Sequence, residues 1–327
     1  MLTPNWTYTV NGVTVHEKII PDGTVWRSEA KAQAAGGYHA GDLYKKQKKL
    51  SSGTGKVRRV TVHNTNDLPR VEDDGEQYTR ATYNENMGTS RVHFYIDDLC
   101  AWQNLKAGTG QCPNDPKGSA EIGWHAGDGS TTGGGNESSL GIEIIMNDTA
   151  EHDAKAYDNG ARLCAWLLYE HGLTINELVT HSYWNAKKAG KTDPDIDRMC
   201  VTFVQDKHWC PYYIFNAKNE NEAYANWKKF KSTVKGYLDA LNETVLPPIA
   251  TQTDKLYRIQ AGAFRNKSYA DDYLKTVQKV FPDAYRRKDD EYFRIQIGAF
   301  RVEANADAYL KIVQQSFPNA FKKAYAV

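Results

Sequence analysis

No uninterrupted apolar run in this 327-residue chain approaches membrane-spanning length, so no membrane insertion by a helix is expected. Charge of one sign is also missing: 41 Lys and Arg stand against 40 Asp and Glu, a formal net charge of +1, which argues against nucleic acid as a partner. The start, Met1-Leu2-Thr3-Pro4-Asn5, has neither the basic stretch nor the apolar core of a secretory signal, so the expectation is synthesis in the cytoplasm without a signal peptide. Cysteine is sparse. The five present (Cys100, Cys112, Cys164, Cys200, Cys210) are widely spaced and odd in number, so at least one is free or metal-bound. Cys164 sits in Leu163-Cys164-Ala165-Trp166-Leu167 and reads as core, whereas pairing of Cys100 with Cys112 across a Gly-rich turn stays open.

What the chain does contain begins with Arg58-Arg59-Val60-Thr61-Val62-His63-Asn64-Thr65, a β-branched alternation that predicts a strand ending in histidine. Val179-Thr180-His181 repeats that pattern, and His208-Trp209-Cys210-Pro211 adds a thiol. Two imidazoles and a thiolate form a three-ligand zinc set that leaves a fourth tetrahedral position open, as hydrolytic sites do. Leu140-Gly141-Ile142-Glu143-Ile144-Ile145 predicts a buried strand carrying one carboxylate, which needs a partner or a task.

Other elements follow in order. Trp6-Thr7-Tyr8-Thr9-Val10 before Asn11-Gly12 predicts a hairpin, and residues 1–50 otherwise carry no chemistry that we can read. Helices are expected over 79–87, 153–171 and 219–241, a strand over 91–96, and a long loop over 185–207. Pro247-Pro248 marks a linker at 242–254, which separates a domain at 1–241 from one at 255–327.

The second domain is an internal repeat. Tyr257-Arg258-Ile259-Gln260-Ala261-Gly262-Ala263-Phe264 returns 36 residues later as Phe293-Arg294-Ile295-Gln296-Ile297-Gly298-Ala299-Phe300. Each copy reads strand, helix, strand, which predicts a small α+β domain of βαββαβ order with four strands under two helices. Strand alternation puts Tyr257, Ile259, Phe293 and Ile295 against the helices, and Arg258, Gln260, Arg294 and Gln296 on the open face. This domain carries 14 Lys and Arg against 8 Asp and Glu, so it should favour an anionic partner.

These residues support a family resemblance. Val60 to Thr65, Arg91-Val92-His93-Phe94-Tyr95-Ile96-Asp97-Asp98, Trp124-His125-Ala126-Gly127-Asp128-Gly129, Asn136 to Ile144 and His208 to Pro211 resemble, in order, the motifs of the zinc-dependent N-acetylmuramoyl-L-alanine amidases. This is the amidase-2 family, related to the peptidoglycan recognition proteins and common among endolysins. The repeat resembles a SPOR domain, a peptidoglycan-binding module. The resemblance implies an α/β fold with a mixed central sheet flanked by helices, and hydrolysis of the amide between the lactyl group of N-acetylmuramic acid and L-alanine. It places zinc on His63, His181 and Cys210 and proton handling on Glu143. It puts an oxyanion donor at His208, where relatives carry lysine and where Lys207 is the neighbouring alternative. Substrate contacts fall to Asn64 and in the repeat to Arg258, Gln260, Arg294 and Gln296, while His93 and His125 border the site either as substrate contacts or as supports behind the metal ligands. The implied partner is bacterial peptidoglycan, met by a monomer after release from the host cytoplasm. A non-catalytic recognition protein and a zinc peptidase acting on the stem peptide are the rival readings.

Overall fold

The structure is a computed structural model that describes residues 2–65, 74–127, 134–146, 149–207, 209–211, 217–245, 255–281, 284–289, 291–300 and 303–326. The chain divides into two compact units, Met1–Asn242 and Glu243–Val327. The helix Glu220–Val245 runs four residues past its expected end, and the rest of the expected linker lies outside the described residues.

Seven strands form the sheet of the first unit: β1 (Trp6–Val10), β2 (Val13–Glu17), β3 (Arg59–Asn64), β4 (Phe94–Ile96), β5 (Ala101–Gln103), β6 (Ser139–Ile144) and β7 (Leu178–Thr180). Their order is β1-β2-β5-β4-β6-β3-β7. The pairs β1/β2 and β4/β5 are antiparallel and the other four parallel, so the sheet is mixed as expected. Asn11 and Gly12 join β1 to β2 with φ of 47° and 81°, the pair of positive values that a two-residue hairpin turn requires.

Alternation along the central strands separates packing from chemistry. Val60, Val62, Leu140, Ile142 and Ile144 are fully buried, and β3 and β6 pack on the helix Ala150–Glu170, where a Cβ on Gly160 would stand 2.6 Å from Ile144. The other face carries Thr61, His63, Ser139, Gly141 and Glu143, with Thr61 opposite Gly141 and His63 opposite Glu143. The apparently continuous apolar run at 140–145 is thus two faces with different tasks.

Helix boundaries depart from expectation where a cap sits upstream. The helix Gly75–Tyr83 starts at Asp74, whose carboxylate accepts from the Gln77 N–H at 2.6 Å, and Thr149 starts Ala150–Glu170 in the same way. The segment 185–207, expected as loop, holds the end of the helix His181–Lys188 and the helix Ile196–Val201, whose first turn is fixed by Asp195.

The second unit has strand order β11-β8-β10-β9, with β8 (Lys255–Phe264), β9 (Tyr285–Asp289), β10 (Tyr292–Phe300) and β11 (Phe321–Ala326), all antiparallel. With the helices Lys267–Gln278 and Glu303–Ser316 this is the βαββαβ order read from the repeat. Ile259, Ala270, Ile295 and Val313 form its core.

Candidate metal centre

β3 ends by presenting His63. One strand over, Thr180 ends β7 and caps the helix His181–Lys188, its hydroxyl accepting from Tyr183 N–H at 3.2 Å, so His181 opens that helix beside His63. Trp184 Nε1 donates to Thr61 Oγ1 at 2.9 Å and ties the helix to β3. Cys210 arrives from 147 residues away in sequence, and Ser182 holds it: both its N–H (2.9 Å) and its hydroxyl (2.8 Å) donate to the Cys210 carbonyl.

The ligating atoms of His63, His181 and Cys210 all lie within 4.8 Å of one another. Cys210 Sγ is 3.7 Å from His63 Nδ1, close to the roughly 3.6 Å that a tetrahedral zinc with ordinary Zn–N and Zn–S bonds requires. Two imidazoles with one thiolate is a donor set suited to zinc, and three ligands leave a fourth position. The thiol argues the same way. Burial and the nearby Glu143 push its pKa well above the ordinary value, with only the Asn64 backbone N–H opposing them, so a thiolate here needs a cation.

Behind His63 a chain of hydrogen bonds fixes its tautomer. His125 Nε2 donates to the Ser139 carbonyl at 3.2 Å, which leaves Nδ1 as an acceptor 3.0 Å from His63 Nε2. His63 therefore carries its proton on Nε2 and turns a lone pair on Nδ1 toward Cys210. His93 is fully buried; its Nε2 donates to the Glu121 carbonyl (2.9 Å) and its Nδ1 accepts from Gly141 N–H (3.0 Å). Desolvation lowers the pKa of His93 to about 4. Of the two roles expected for it, substrate contact or support, the geometry fits the second: His93 stands behind His125, with both nitrogens engaged inside the protein. Gly141 makes room for that stack, since a Cβ there would meet His125 Cγ at 2.7 Å.

Glu143 shares the sheet face of His63 and is flanked on the other side by Tyr95, its register partner on β4. The Asn64 side chain is buried, and neither its Oδ1 nor its Nδ2 meets a hydrogen-bond partner among the described residues. Lys207 is exposed, and His208 lies outside the described residues. Ser182, Ser139 and Gly141 were not singled out from the sequence. Hydroxyls and glycines are too common for spacing alone to mark them.

In the second unit the four expected surface residues form a crossed network. Arg258 Nη1 donates to Gln296 Oε1 at 2.9 Å, and Arg294 Nη1 to Gln260 Oε1 at 3.4 Å. Both glutamines are buried, which corrects the expectation that they lie open on the face. The guanidinium groups cover them, and Arg258 in turn lies 5.7 Å from the Tyr325 ring.

Residues 53–196 match the family described as N-acetylmuramoyl-L-alanine amidase, and residues 253–323 match the SPOR domain. The chain carries an N-acetylmuramoyl-L-alanine amidase domain and a SPOR domain. His63, His125, Glu143 and His181 lie inside the amidase match and Cys210 beyond it, so it is the fold that brings Cys210 to the two histidines. The chain is 36% identical over 129 residues to N-acetylmuramoyl-L-alanine amidase XlyA of Bacillus subtilis (strain 168), covering 39% of this chain and 38% of that protein. It is 36% identical over 129 residues to CwlH of the same organism, covering 39% and 45%. The chain thus spans less than half the length of either relative. Among solved structures, the catalytic domain of XlyA is similar with a TM-score of 0.42 and 25% identity, over 68% of this chain and 99% of that one.

Proposed function

We propose that the protein is a peptidoglycan hydrolase of the endolysin or autolysin kind, cutting the amide between the lactyl group of N-acetylmuramic acid and the L-alanine of the stem peptide. The observation that carries this reading is the convergence of His63, His181 and Cys210 within 4.8 Å, with Glu143 on the same sheet face as His63. Three ligands from the chain would hold zinc and leave one position open. Zinc, when bound, supplies polarisation of the scissile carbonyl and a water made nucleophilic near neutral pH.

The chain supplies the rest. His125 and the Ser139 carbonyl hold the His63 tautomer, and Ser182 positions Cys210. Glu143 takes the proton of the attacking water and returns it to the leaving amine of L-alanine. The oxyanion of the tetrahedral intermediate falls to an N–H donor two residues before Cys210, at His208. The SPOR domain holds the enzyme on its insoluble substrate, which raises the local concentration of the catalytic unit.

Digestion of purified bacterial walls, with identification of the newly freed amino terminus, tests the reading. New N-terminal L-alanine that disappears with a zinc chelator supports it. A new terminus within the stem peptide would make the enzyme a peptidase, and no new terminus with intact wall binding would leave a recognition protein.

A further inference from the structure

Residues 20–46, outside the amidase-family match, fold against that domain and form one wall of an open cleft of about 370 Å³. Its walls include Trp26, Tyr38 and Tyr44 from this segment and Arg91 and Trp124 from the amidase domain, with Lys46 at the edge. Arg91 is only 2% exposed, yet no carboxylate lies within salt-bridge distance of it among the described residues. Its Nη1 donates to the carbonyls of Gly88 (2.8 Å) and Ser90 (2.6 Å), and its Nη2 to that of Tyr44 (3.3 Å). Its Nε meets no acceptor among the described residues. It lies 3.6 Å from the Tyr44 ring and 5.6 Å from that of Trp26. Glu85, a carboxylate that acts on it electrostatically, is itself ion-paired to Arg27 at 2.7 Å, so this buried cation, held by carbonyl dipoles and ring faces, keeps a positive potential in the cavity it borders. Lys46 adds a second cation, its ammonium 4.8 Å from the Trp124 ring. Lys45 adds none, since Glu121 (2.8 Å) and Asp22 (3.1 Å) already neutralise it. Asp42, the acidic group of the lining, is an exposed residue that accepts from His39 N–H at 2.7 Å.

The cavity adjoins the metal centre through the backbone. Arg91 N–H donates to the Trp124 carbonyl at 2.9 Å, and the next residue, His125, is the one that orients His63. Glycan strands offer hydroxyl and acetamido groups there, and their lactyl carboxyl is consumed in the scissile amide. Free carboxylates belong to the stem peptide. We propose that this cavity binds a carboxylate-bearing part of the stem peptide, with Arg91 and Lys46 as its cations and Trp26, Tyr44 and Trp124 as its apolar walls. It would select for peptides whose carboxylates are free over those carrying amides. The proposal rests on the reading of peptidoglycan as substrate and names the part of it that this segment reads.

The test uses the full-length, zinc-loaded protein and two soluble probes, L-alanyl-γ-D-glutamyl-L-lysine and its diamide, titrated by calorimetry and by tryptophan fluorescence. Binding of these peptides needs no turnover, so it is scored separately from release of L-alanine termini from walls. The free acid should bind at least tenfold more tightly than the diamide, and the preference should shrink severalfold at high salt. Lys46→Glu, an exposed substitution that leaves the fold intact, should cut the preference below threefold. Arg91→Met should abolish it where circular dichroism shows the protein folded. Equal binding of the two probes, or a preference untouched by Lys46→Glu, overturns the proposal even if walls are cleaved. Competition by a peptide-free glycan oligomer as strong as that by the free acid would make the cavity a sugar site and overturn it as well.

Discussion

Nε2 of His63 lies 3.0 Å from Nδ1 of His125, and because His125 spends its own N–H on the Ser139 carbonyl, the direction of the proton between them is settled. The nitrogen of His63 that bears the lone pair is thereby the one facing Cys210. Removing the acceptor should free the ring to rotate and change tautomer. His125→Ala is expected to weaken zinc binding about 10–100-fold, measured by competition with a chromogenic chelator. Nitrogen chemical shifts of His63 should report mixed tautomers in the variant and a single one in the wild type.

Glu143 is the proton carrier in the proposed reaction and contributes no ligand to the metal group. Glu143→Gln should therefore keep bound zinc and wall binding while release of L-alanine termini falls by about 10²–10⁴-fold. Loss of zinc in this variant would show that the carboxylate supports the centre structurally.

A Cβ at position 141 would press on the His125 ring at 2.7 Å, and β6 has no freedom to retreat because it is paired on both sides. Gly141→Ala should destabilise the first unit by about 1–3 kcal/mol and weaken zinc binding along with it. Urea unfolding and metal competition on the same sample check both halves.

His93 is neutral in the fold down to about pH 4, whereas the unfolded chain takes up a proton near pH 6.5. Between those values the unfolded state binds more protons, so stability falls as pH falls through that window, and this contribution is unchanged above it. The shift corresponds to roughly 3 kcal/mol lost by pH 4. Urea midpoints at pH 7, 6, 5 and 4.5 should show the slope, and His93→Gln should flatten it.

In the SPOR domain, Arg258→Ala removes the donor to Gln296 and uncovers a buried amide. A loss of about 1–3 kcal/mol in the unfolding of the 243–327 unit is expected, followed by calorimetry of the full chain.

The repeat was legible because two copies of one pattern 36 residues apart constrain each other: the order of elements along the chain and the helix-facing residues both follow from it. Gln260 and Gln296 were misplaced because alternation assigns a side chain to a face and says nothing of what lies over it. Arginine is long enough to cover its neighbour. Helix starts were misplaced where one aspartate or threonine cap outweighed the apolar period.

By itself the sequence determined the chemistry of this protein: histidines closing β-branched runs, a carboxylate inside an apolar strand and a thiol in a Trp-Cys-Pro setting restrict the reactions open to it. Local patterns carry that information because strand alternation and turn chemistry act over a few residues. Only the tertiary structure decided which nitrogen of His63 faces the centre, that Ser182 delivers Cys210, and that a segment without readable chemistry walls a cleft beside Arg91. Those outcomes depend on contacts between residues tens to more than a hundred positions apart. Register and burial set such contacts, and neither is written in any single stretch of chain.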